Sequence, residues 1–214
     1  MIFETKSRKG RIIVFYIHGK GGSANEATHF ASLFPNAEII GFDYKSENPW
    51  DAVTEFNEKA RDLAGSYDRV ILVAQSIGFF FSMNAGIDRY IDRAYLISPI
   101  VNLEKLIMDM MSWAGVSEAE LEDKKIIPVD FGDDLSWDYL KYVRSRHLSW
   151  SAPTEILYGS LDNLQSIDTI NEFAVRTSSG VTVMEGGEHW FHTEEQLEFM
   201  DNWLRRKTQG SIPG

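Results

Sequence analysis

The chain has 214 residues, no cysteine, and 21 Lys and Arg against 32 Asp and Glu, a formal charge of −11. Excess acid opposes binding to nucleic acid or anionic lipid. The lack of cysteine excludes disulfides, a thiol nucleophile and thiolate metal sites.

Hydrophobic residues make up 43% and aromatic residues 13%, the composition of a globular protein with one sizeable core. No apolar run approaches the ~18 residues of a membrane span. The charged start "MIFETKSRKG" lacks the apolar middle of an export signal. A cytoplasmic protein with no membrane span is therefore expected.

In chain order, a weak strand signal at residues 2–5 precedes a strong one, "RIIVFYI" (11–17). A glycine-rich turn follows, "IHGKGGSA" (17–24), with His29 expected on the first helix. The strand "AEIIGF" (37–42) leads to a helix over 49–64. The strand "RVILVA" (69–74) leads to a helix over 77–87, and "RAYLIS" (93–98) is the next strand. Residues 101–150 break this rhythm: they show no convincing core strand and read as a mainly helical insertion. The pattern resumes with the strand "TEILYG" (154–159), a helix over 165–175, the strand "VTVME" (181–185) and a last helix over 193–207. That helix opens with Thr193-Glu194-Glu195-Gln196, a capping-box pattern.

The strands are rich in Val, Ile and Tyr, and several are almost continuously apolar, as strands buried on both faces are. Their alternation with helices predicts an α/β fold: a mostly parallel sheet of about six strands, covered on both faces. Residues 1–100 and 151–207 then form the core, 101–150 the insertion and 208–214 a frayed tail.

Ser76 stands in "AQSIG", where a buried strand turns at once into a helix. Such a turn lifts a hydroxyl to the rim of the sheet and needs small residues two places to either side, here Ala74 and Gly78. A serine nucleophile also needs a base, and the base needs an acid. Asp162 follows the strand "TEILYG" and His189 follows "VTVME", so all three residues fall on the carboxyl edge of one parallel sheet. The bland reading makes Ser76 an ordinary helix start. Asp168, inside a helix pattern, and His147 read as surface residues; His192, just before the Thr193 cap, reads as a surface or supporting residue.

The glycine turn has two readings. In a hydrolase it supplies a backbone amide, that of Lys20, which together with the amide of Ile77 faces a developing oxyanion. His18 would then hold the loop, and Gln75 would pack or hydrogen-bond beneath the serine turn. Alternatively Gly19, Gly21 and Ala24 fit G-x-G-x-x-A, with Asp43 in the place of a ribose-binding acid. The second reading leaves Ser76, Asp162 and His189 without a purpose. A P-loop lacks the Ser/Thr after Lys20, and His189 and His192 lack zinc-site spacing.

Taken in order, "HGKGG", "AQSIG", "YGSLDNL" and "GGEHWF" resemble the α/β-hydrolase superfamily, and among its members small bacterial single-domain esterases with a short helical cap. The resemblance runs to about Lys207 and departs from the commonest pattern in having Ala74 where glycine is usual. It implies Ser76 as nucleophile, Asp162 as acid, His189 as base, and the Lys20 and Ile77 amides as oxyanion hole, with no cofactor and no metal. The implied substrate is a small-molecule ester. A thioester, amide or peptide bond, or a non-catalytic binding role on the same scaffold, stays open. The insertion is expected to arch over Ser76, with Met111, Trp113, Trp137 and Trp150 as candidate pocket residues beside Met108, Met110, Phe131 and Tyr139. Nothing in the sequence sets the oligomeric state.

Overall fold

The computed structural model describes residues 10–209. The described residues open with β1 (Ile12–Ile17), a 3-10 helix (Ala24–Leu33), β2 (Glu38–Gly41), α1 (Pro49–Ser66) and β3 (Arg69–Gln75). It continues through α2 (Ser76–Asn84), a short 3-10 turn (Ile87–Tyr90) and β4 (Arg93–Ile97). After residues 101–150 come β7 (Thr154–Gly159), α6 (Ile167–Thr177), β8 (Gly180–Met184) and α7 (Glu194–Thr208). The weak strand expected at residues 2–5 and the tail beyond Gln209 lie outside the described residues.

Among the described residues six strands pair in the order β2-β1-β3-β4-β7-β8, every pair parallel. The near-continuous apolar runs follow from this position, since alternate residues of each central strand enter different cores. Ile13, Phe15 and Ile17 of β1 join Leu72 and Ala74 of β3 in one core, with Phe56 of α1, Phe79 of α2 and Phe173 of α6. Val14 and Tyr16 join Ile71 and Val73 in the other, with Phe30 of the 3-10 helix and Trp203 of α7. Among the described residues no helix is long and apolar enough to cross a membrane.

The winding reverses between β1 and β3. From β1 the chain moves outward to β2, then returns to the other side of β1 as β3 and continues in that direction. The helices that follow β1 and β3 therefore lie on opposite faces of the sheet, and a reversal of this kind marks the carboxyl edge where parallel sheets take their ligands.

The helix His29 was expected on is a 3-10 helix, and His29 Nε2 lies 2.7 Å from Asp201 Oδ1 of α7. The capping box at α7 is half formed. Thr193 Oγ1 accepts from Gln196 N at 3.3 Å, but the Gln196 side chain turns to His192 N and Glu188 instead of back to Thr193 N.

Residues 101–150 are mainly helical, as their pattern predicts. They hold α3 (Leu103–Ala114), α4 (Glu118–Lys124), the two-residue strands β5 (Ile126–Ile127) and β6 (Leu135–Ser136), and α5 (Trp137–Arg144). The antiparallel β5–β6 pair is too short to leave a period in the sequence. Asn102, Ser117 and Ser136 each accept the backbone N–H three residues on, capping the three helices. Gly115, at φ 67°, ends α3 in the left-handed conformation that favours glycine. Arg144 of α5 reaches Glu104 on α3 and Glu118 on α4, tying the three helices together.

Phe79 carries much of the first core, edge-on to Trp150 at 5.0 Å and to Phe173 at 5.6 Å. Phe79→Ala is expected to lower stability by about 3–5 kcal/mol. Val175→Ala, at a position 83% exposed, should stay within about 0.5 kcal/mol. Urea denaturation of the two variants beside the parent checks the contrast.

Candidate active site

Ser76 is the first residue of α2 and has φ +46°, a left-handed conformation that is uncommon for a residue with a Cβ. An ordinary serine at a helix start is the N-cap, extended in backbone and bonded to an amide of the first turn. Here Gln75 occupies the N-cap with φ −115° and makes no side-chain cap. The Ser76 hydroxyl thus caps no amide of the helix, unlike that of an ordinary serine at a helix start. Strain of this kind persists only where the surroundings fix it. The Ser76 carbonyl accepts from Ile100 N at 3.1 Å. A Cβ on Gly78 would stand 2.3 Å from the His18 carbonyl oxygen, and one on Gly19 3.0 Å from Ser76 Cβ. The serine turn and the glycine turn interlock backbone against backbone, which explains their small residues.

His189 follows β8 and Asp162 follows β7. Their loops also meet backbone to backbone: a Cβ on Gly159 would fall 2.3 Å from Gly187 O, and Leu161 N donates to Gly187 O at 2.8 Å. The side chains form one chain. Ser76 Oγ lies 2.8 Å from His189 Nε2, and His189 Nδ1 lies 2.7 Å from Asp162 Oδ2. The Asp162 side chain is 0% exposed, and its other oxygen accepts from Leu164 N at 2.8 Å and Gln165 N at 3.2 Å. An ionised carboxylate only accepts, so the proton of a neutral imidazole belongs on Nδ1 and Nε2 is left to accept from the serine hydroxyl.

The glycine turn is held from below. His18 stacks on Tyr44 with ring centroids 4.3 Å apart, its Nδ1 lies 2.8 Å from Gly19 O, and Tyr44 donates to His18 O at 3.0 Å. Tyr16 donates to Glu26 at 2.5 Å and lies 2.9 Å from the Gln75 amide oxygen. Burial first, then the bond to Glu26, pushes the Tyr16 hydroxyl far above its ordinary range, so it stays protonated. Glu26 also accepts from Ser23 N at 2.8 Å. This support was missed in the sequence, although Ser23-Ala24-Asn25-Glu26 has the capping-box spacing that signals it.

Two cavities meet over Ser76, and both are lined by Gly19, Lys20, Gly21 and Leu164. The larger, about 610 Å³, also includes Ile77 and is walled by Tyr44, Phe81, Leu103, Ile107, Met110 and Tyr139. Burial pushes the Tyr44 and Tyr139 hydroxyls well up, so both rings stay neutral. The smaller, about 380 Å³, includes His189, Trp190 and Gln75. The Lys20 ammonium pairs with Asp133, joining the β5–β6 loop to the glycine turn.

The four candidate pocket residues are corrected. Met111, Trp113, Trp137 and Trp150 line neither cavity. Leu103, Leu106, Ile107 and Met110 form the stripe of α3 that faces the larger one, and Met111 and Trp113 sit on its two shoulders. Met111 is buried in the core, while Trp113 is 53% exposed and edge-on to Phe131. Trp137 packs on the rim of the first core. Trp150 lies under the sheet against Phe79, its Nε1 donating to Thr154 Oγ1. Met110 and Tyr139, from the wider set, do line the cavity.

His147, His192 and Asp168 are exposed and line neither cavity. Asp43 is exposed and paired with Lys45 at 2.7 Å. With the Ser76 turn packed against the glycine turn, and a 3-10 helix in place of an α-helix after it, the dinucleotide reading loses its geometry.

No protein-family model and no curated protein matches the sequence. Solved structures do. Est1E from Butyrivibrio proteoclasticus, also solved with ferulic acid bound, superposes with TM-score 0.74 at 15% identity over 94% of this chain and 88% of its own. Alpha/beta hydrolase domain-containing protein 10 from mouse gives 0.69 at 15% identity over 92% of this chain and 90% of its own. An esterase from Pyrococcus furiosus gives 0.60 at 15% identity over 94% and 82%. Strand order, parallel pairing and these likenesses agree: the chain has the α/β-hydrolase fold.

Proposed function

We propose that the protein is a serine hydrolase that cleaves a carboxylic ester of a small molecule through an acyl-enzyme. The observation that carries this reading is the hydrogen-bonded series Ser76–His189–Asp162, with Ser76 in a strained turn that frees its hydroxyl. His189 Nε2 takes the proton as Ser76 Oγ bonds to the carbonyl carbon, and Asp162 stabilises the imidazolium. The amides of Lys20 and Ile77 hold the negative oxygen. His189 then hands its proton to the leaving oxygen, and the alcohol departs. Water attacks the acyl-enzyme with His189 again as base, and Ser76 recovers its proton as the acid leaves.

Residues 101–150 act as the cap of this site. The leaving oxygen must lie near His189, which lines only the smaller cavity, so the acyl group takes the larger one. Its apolar walls and neutral tyrosines suit an alkyl or aryl acyl group. Glu47 and Asp134 at its margin oppose an anionic one, while Asp133 is paired with Lys20. The similar Est1E binds ferulic acid, an aromatic acid, which agrees with this choice.

On a series of p-nitrophenyl esters, Ser76→Ala and His189→Ala are each expected to cut kcat by about 10⁶-fold, and the double variant no further, because the two residues act as a unit. Asp162→Asn should cost about 10⁴-fold, since it disturbs the tautomer of His189. Full activity in Ser76→Ala would end the hydrolase reading.

Acyl length provides a separate check. Each methylene buried in the larger cavity is worth ~0.8 kcal/mol, so kcat/KM should rise about fourfold per carbon from acetate to hexanoate. In Met110→Trp, which fills the cavity, that rise should stop at a shorter chain. A flat profile in the parent protein would contradict the acyl assignment while leaving the Ser76 chemistry intact.

A further inference from the structure

Trp190 follows His189 directly and is 71% exposed. It is nevertheless not loose. One face of its indole is covered by the His192 ring, with centroids 4.5 Å apart and planes 18° from parallel. His192 is fixed in turn: its Nδ1 lies 2.7 Å from the Trp190 carbonyl oxygen and 3.5 Å from Glu188 Oε2, and its backbone N–H donates to Gln196 Oε1 at 3.2 Å. Gln196 is buried, and its amide donates to Glu188 at 3.2 Å. The indole is thus braced from behind by a polar network while most of its surface stays in water.

Trp190 also lines the smaller cavity together with Ser76 and His189. A single exposed aromatic residue needs no explanation on an ordinary surface. One braced on a single face beside the group that protonates the leaving oxygen is a different case. Its apolar area is held where an occupant of that cavity would cover it.

We propose that Trp190 is the specificity residue for the leaving group and selects alcohols that present a flat ring face. The inference rests on the hydrolase reading above, which sends the leaving oxygen toward His189. An aromatic alcohol and a pyranose share this chemistry, since both can lie ring-on-ring against an indole. A cavity of about 380 Å³ accommodates one such ring.

The test uses butyrate esters of four alcohols: methanol, phenol, cyclohexanol and methyl glucoside acylated at O6. Each is assayed with the parent protein, Trp190→Ala and Trp190→Phe. Trp190→Ala is expected to lower kcat/KM for ring esters about 2- to 12-fold more than for methyl butyrate, the range of an aromatic pair. Trp190→Phe, which keeps a ring face, should recover most of that difference. A selective fall confined to phenyl and cyclohexyl butyrate assigns apolar rings; one that includes the glucoside extends the preference to sugars. An equal fall for all four esters would overturn the proposal and leave Trp190 as a positioning residue for His189. No fall for any ester would overturn it as well. If the parent protein hydrolyses none of the four, the hydrolase reading fails and takes this inference with it. Turnover of all four without a ring-selective loss fails this inference alone.

Discussion

The site depends on one close contact, the approach of Gly78 to the carbonyl of His18. A side chain at position 78 would place its Cβ 2.3 Å from that oxygen, closer than any unbonded carbon and oxygen can sit. The contact joins the start of α2 to the turn leaving β1 and holds both against the reversal in the sheet. It is also what over-determines Ser76. A left-handed residue with a Cβ costs on the order of 1–3 kcal/mol, and the packing of the two turns offsets that cost. Gly159 against Gly187 repeats the device for the loops carrying Asp162 and His189. The three side chains come from distant parts of the chain, yet their spacing is set by backbone packing.

Electrostatics then gives the arrangement its direction. Asp162 is withdrawn from water, but both of its oxygens are occupied, one by two backbone amides and the other by His189. A buried charge is tolerated when it is satisfied in this way. The larger cavity differs in kind: its phenols stay neutral and its carboxylates lie at the margin.

Much of this was legible in the sequence because the residues concerned answer to local rules. Strands buried on both faces must be apolar throughout, and so β1, β3, β4 and β7 could be read directly. Ser76, Asp162 and His189 each follow a strand of one parallel sheet, which places them on one edge whatever the surrounding packing. The pocket was not legible for the opposite reason. Helix α3 carries apolar residues around most of its circumference, and which stripe faces Ser76 depends on how α3 packs against α5 and the β5–β6 pair. As apolar side chains Trp113 and Trp150 could equally line a pocket or pack a core; one is 53% exposed and the other packs against Phe79. The half-formed capping box at Thr193 is a similar case, because Gln196 has a better use bracing His192.

The central claim is that Ser76 is activated by His189 beneath two backbone amides. The structure of the protein after reaction with a fluorophosphonate, with the modified residue located by mass spectrometry, tests it most directly. The account predicts a single adduct on Ser76 whose phosphoryl oxygen lies about 2.7–3.1 Å from the amides of both Lys20 and Ile77. An adduct on another residue, or a phosphoryl oxygen turned away from those two amides, would contradict it.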